Sequence, residues 1–155
     1  MTENIGTFTR YLVLFVSVCS IVGMILPVRR FAREAKMGIA SGVHASLKDF
    51  VPAFYPVTKI IYVIIAASMV RGAVGNGESA SLFLALILLG SLGVTSLVQG
   101  WVLSRLLGGL MKISPLEPAR KRSRYAFVVI TATVIEVLAV FPFLLAIFLL
   151  NGGHG

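Results

Sequence analysis

A chain of 155 residues that is 57% hydrophobic and 13% charged has more apolar surface than a soluble domain of its size can bury. With a mean hydropathy of +0.95, it reads as an integral membrane protein. A net charge of +8 would suggest nucleic acid in a soluble protein; here it fits Lys and Arg retained in cytoplasmic loops, and no nucleic-acid partner is expected.

The start, "MTENIGTFTRYLVLF", lacks the basic beginning of a signal peptide, and the apolar run continues without a small-x-small cleavage site, so it is read as a retained first span. Spans are expected at about Tyr11–Val28 (continuing as a polar helix through "RRFAREAK"), Phe50–Val70, Ser81–Met111 and Tyr125–Leu150. The fold class is therefore all-α: four transmembrane helices in two tandem hairpins, residues 1–75 and 76–155. The lone Cys19 lies inside the first span, can form no internal disulfide and makes no metal site. The first connection carries Arg29, Arg30, Arg33, Lys36 and Lys48, and the third carries Lys112, Arg120, Lys121, Arg122 and Arg124; the middle one sets Arg71 against Glu78. The positive-inside rule puts both basic loops in the cytoplasm and both termini on the opposite side. Gly90, Gly93, Gly100, Gly108 and Gly109 in the third span, with Gly38 and Gly42 beyond the first, favour close helix packing.

Polar residues inside spans are the candidates for function. Glu136 lies 13 residues beyond a third connection taken as Ile113–Ser123, and Gln99 lies 14 residues before it. At 1.5 Å per residue both sit about 20 Å from the loop. Lys59, 11 residues past Lys48, falls within about a turn of the same level. Three helices thus place a Glu, a Gln and a Lys in one layer, with Thr58 and Thr133 close by. Arg105 is expected to snorkel to the cytoplasmic interface. Pro142 is expected to kink the fourth span and free the carbonyl of Leu138. His44 and His154 stand apart from any nucleophile, and "GNGESAS" is a short turn rather than a phosphate loop, so an enzyme active site is not expected.

"PVTKIIY" (Pro56–Tyr62) in the second span, Gln99-Gly100 in "SLVQGW" and "IEVLAVFPFLLAIFLLN" (Ile135–Asn151) match in order, spacing and depth three motifs of one family. Over its last two thirds the chain resembles the proteolipid, or c-type, membrane-ring subunit of V-type and archaeal-type rotary ATPases, called subunit K in bacterial enzymes. The resemblance implies a homo-oligomeric ring in which Glu136 is the ion-carrying carboxylate and hairpin one, with Val57 at the equivalent place, carries none. It implies ion-binding roles for the Tyr55 carbonyl, Thr58, Gln99 and Glu136. It implies as partners identical copies, a stator subunit with an arginine facing Glu136, a central-stalk subunit on the cytoplasmic loops, and the lipid bilayer. ATP chemistry would lie on other subunits, and no cofactor is expected, a proton or sodium ion being the transported species.

Lys59 stands where that family has a glutamine. An ammonium donates and cannot ligate a cation, so a Lys59–Glu136 ion pair would occupy the place of the ion. Two outcomes follow: a permanently neutralised rotor subunit, or a lysine that switches away and leaves Glu136 to be protonated. Two other classes remain, a small four-helix transporter using Glu136 as its coupling carboxylate and a structural membrane subunit using the pair as an assembly clamp.

Overall fold

The computed structural model describes residues 2–40, 47–73, 79–113 and 117–151. Every regular element among them is helical: α1 (Thr2–Ala40), a 3₁₀ segment (Leu47–Val57) running directly into α2 (Thr58–Ala73), α3 (Ser79–Leu110) and α4 (Pro118–Asn151). Four stretches are long and apolar enough to cross a bilayer: Asn4–Met37, Phe50–Gly72, Leu82–Leu110 and Pro118–Leu150. These are the features of an integral multi-pass membrane protein, in which the helix satisfies its own backbone groups where no water can.

Two boundaries differ from the sequence reading. Helix α1 begins at Thr2, ahead of the apolar span expected from about Tyr11, the intervening "TENIGTFTR" containing no proline. Helix α4 begins at Pro118 rather than Tyr125, because proline at a first helical position has a preset φ and loses no bond. The third connection is correspondingly shorter than Ile113–Ser123. Pro27 and Pro142 both lie within unbroken helix. Gly42, Glu78, His44 and His154 lie outside the described residues.

The second span changes its winding midway. Pro52 and Pro56 lack the N–H that an α-ladder requires, and the first 11 residues wind as 3₁₀. Such runs rarely exceed three or four residues; here tertiary contacts hold it. The Ser96 hydroxyl of α3 donates to the Pro56 carbonyl at 2.9 Å in the interior, satisfying an acceptor at the point where 3₁₀ gives way to α-helix.

Helix α3 packs most extensively against α1 and then against α4, while α2 leans on α1 and α4. The two halves of the chain therefore interlock in one bundle. Helices α1 and α3 run parallel: Gly93 faces Phe15, Gly100 faces Gly23, and Gly108 faces Arg30 in successive steps. At the crossing, a Cβ on Gly100 would collide with the Gly23 backbone, and one on Gly23 would come within 2.5 Å of the Ser96 carbonyl oxygen. Only glycine permits this approach.

The apolar interior is divided. One cluster (Leu12, Val16, Val63, Ala66, Leu89, Leu92, Ala139 and Phe143 among others) fills one half of the bundle. A second (Ala53, Leu103, Leu107, Leu110, Val128 and Ala132) fills the half nearer the basic connections. On each of α2, α3 and α4 the polar residue lies between the two: Lys59 before Val63, Gln99 between Leu92 and Leu103, Glu136 between Ala132 and Ala139.

Candidate functional site: a lysine–glutamate network inside the membrane

Each helix delivers its polar residue to the same point. Lys59 is in the first turn of α2, two residues past the end of the 3₁₀ segment, so the change in winding sets its direction. Its side chain is fully buried, whereas that of Glu136 keeps 14% of its surface. Lys59 Nζ pairs with Glu136 Oε2 and donates to Gln99 Oε1 at 2.5 Å. The Gln99 amide donates to the Ala132 carbonyl at 3.2 Å and to Glu136 Oε2 at 3.3 Å. The other carboxylate oxygen, Oε1, is 2.5 Å from the Thr58 hydroxyl and accepts from the Tyr62 hydroxyl at 3.0 Å. The Thr58 hydroxyl also lies 2.6 Å from the Tyr55 carbonyl.

The predicted layer is thus a contact network. Thr58, Lys59, Gln99, Glu136 and the Tyr55 carbonyl converge; Thr133 is exposed and does not join them. Tyr62 and the Ala132 carbonyl belong to the site although the sequence reading assigned neither to it. Tyr62 is one turn beyond Thr58, a spacing that puts both hydroxyls on one face of α2. It also stacks on Phe143 at 4.9 Å between centroids, which fixes the ring against α4. Arg105, the other charge within the apolar stretch of α3, is exposed and stacks over Trp101 at 4.4 Å, clear of the site.

A buried ion pair is retained only where its remaining hydrogen-bonding capacity is filled, because desolvation of both charges opposes their attraction. Here Gln99, Thr58 and Tyr62 surround the pair with hydrogen-bonding partners. The apolar clusters close the bundle on both sides of this layer. The exposed edge of Glu136, beside exposed Thr133 and Val137, therefore opens to the flank of the bundle. The lysine nitrogen fills the space between Glu136 Oε2 and Gln99 Oε1 that a cation would need. Among the described residues no group of three or more His, Cys, Asp and Glu is placed to hold a metal.

No protein-family model, curated protein or solved structure matches this chain.

Proposed function

We propose that this chain is a rotor-ring subunit of a V-type or archaeal-type rotary ATPase, in which Glu136 couples ion passage to rotation and forms a net-neutral pair with Lys59 in transit. The observation that carries this reading is the sideways opening of Glu136. Apolar clusters flank this carboxylate on either side along the bundle, and its exposed surface lies at the flank. In this reading it exchanges with water where a neighbouring protein offers access at that flank, as a stator does to a ring. Net neutrality of the pair then permits passage through lipid, where a lone carboxylate is costly. The parallel α1–α3 core, with the carboxylate on α4 and its lysine on α2, suits copies arranged around an axis. The motif resemblance, covering Pro56–Tyr62, Gln99-Gly100 and Ile135–Asn151, supports the same assignment.

The test is native mass spectrometry and particle imaging of the membrane-extracted assembly, with ion flux measured after reconstitution. A closed symmetric ring, whose Glu136→Gln variant still assembles but transports nothing, is the expected result. A monomer or small dimer with its own flux would instead establish the small-transporter class. Loss of assembly in Glu136→Gln would establish the structural clamp.

A further inference from the structure

The hydrogen bonds around Glu136 have a proton inventory that favours one protonation state of the site. Seven contacts link the network: Thr58 to Tyr55 and to Glu136, Lys59 to Gln99 and to Glu136, Tyr62 to Glu136, and Gln99 to Ala132 and to Glu136. Each needs one hydrogen. The Gln99 amide supplies two and the Tyr62 hydroxyl one. Thr58 has a single hydroxyl hydrogen, yet lies against two oxygens, the Tyr55 carbonyl at 2.6 Å and Glu136 Oε1 at 2.5 Å. With an ionised carboxylate both are acceptors, and one of those contacts has no hydrogen in it. An ammonium at Lys59 meanwhile has three N–H groups for the two acceptors it meets among the described residues, Gln99 Oε1 and Glu136 Oε2.

Moving one proton from Nζ to Oε1 completes every contact. The neutral amine donates its two hydrogens to Gln99 and Glu136 Oε2. The carboxylic acid donates from Oε1 to the Thr58 oxygen, and Thr58 donates to the Tyr55 carbonyl. We infer that the site is a proton site whose resting form is an uncharged lysine amine beside a protonated Glu136, with Lys59 filling the position a metal cation would take. Buried charge is removed from the layer, and each of the seven contacts then holds one hydrogen. The titratable groups facing Nζ are Glu136 from α4 and, around the shared carboxyl, Tyr62 from α2; α3 presents the uncharged Gln99.

The transport half of this inference rests on the rotor-ring reading. In the release step the O–H bond at Glu136 breaks, its electron pair stays on Oε1, and the proton passes to water at the exposed flank of the carboxyl. The amine–carboxylate pair left behind has a net charge of −1, which a cationic side chain of a stator would offset. Reloading reverses the step. Lys59, fully buried, exchanges no proton directly with water and acts as a positioning residue that keeps sodium out.

The experiment uses the intact assembly in proteoliposomes. Infrared difference spectroscopy with labelled glutamate reads the Glu136 carboxyl, nitrogen NMR with labelled lysine reads Nζ, and native mass spectrometry of the same sample reads the ring. The expected spectra show a protonated carboxyl, absent in Glu136→Gln, and a neutral amine, absent in Lys59→Gln, both unchanged by sodium chloride. A carboxylate beside an ammonium at rest, or a carboxyl signal displaced by sodium, would overturn the inference. Lys59→Arg introduces a guanidinium that keeps its proton; proton uptake should fall about tenfold or more with the ring intact, while Lys59→Gln retains uptake. Full uptake in an assembled Lys59→Arg ring would also overturn it. A sample that is not a ring but gives the expected spectra removes the rotor reading and leaves the proton site standing.

Discussion

At the scale of the residue, the network distributes its work unevenly. Lys59 and Gln99 are fully enclosed, whereas Glu136 and Tyr62 lie closer to the surface. Tyr62→Phe removes one hydrogen bond to Oε1 and keeps the stack on Phe143. It should cost about 1 kcal/mol in thermal stability and slow ion flux a few-fold without ending it. Unchanged flux would place Tyr62 in packing alone. Lys59, Gln99 and Glu136 were legible in the sequence because a charge or amide inside an apolar run is conspicuous and helical rise converts position into depth. Tyr62 was harder to assign, because a tyrosine in a span reads equally well as interface or core. Thr133 was misplaced for the opposite reason: depth alone does not say which way a side chain points, and Thr133 faces outward.

At the scale of the element, the second span is where local chemistry sets the site. Two prolines enforce 3₁₀ winding up to Val57, and Ser96 caps the buried Pro56 carbonyl. Ser96→Ala leaves that carbonyl unpaired in the interior. It should lower stability by about 1 kcal/mol and disturb the aim of Lys59, read as broadening of its nitrogen signal. An unshifted melting temperature and spectrum would deny the cap any role. Gly100→Ala inserts a methyl into the Gly23 backbone and forces α1 and α3 apart. It should cost about 1–3 kcal/mol and reduce assembly, whereas Gly109→Ala, whose added Cβ meets only Arg124 at 3.7 Å, should melt like the wild type. The four helices follow from apolar length. The 3₁₀ entry does not, because two prolines in a span are compatible with a break, a kink or tighter winding until the partner for the freed carbonyl is known.

At the scale of the whole molecule, charge and packing agree on one basic end. Arg30 reaches Gly108 of α3, Arg124 lies beside Gly109, and Arg29, Arg33, Lys112, Arg120 and Arg122 are all exposed. The basic residues of both hairpins therefore gather at one end. Single substitutions Arg33→Cys and Arg122→Cys should both be labelled by a membrane-impermeant thiol reagent from the cytoplasmic side, while buried Cys19 stays unreacted; labelling from opposite sides would break the two-hairpin topology. The central claim is that Glu136 is a protonated carboxyl held by Lys59 and closed to metal cations. Carbodiimide labelling tests it most directly, since the reagent needs a protonated carboxyl. In the intact assembly near neutral pH, Glu136 should label readily and to the same extent with and without sodium. Protection by sodium, or labelling that appears only in Lys59→Gln, would contradict it.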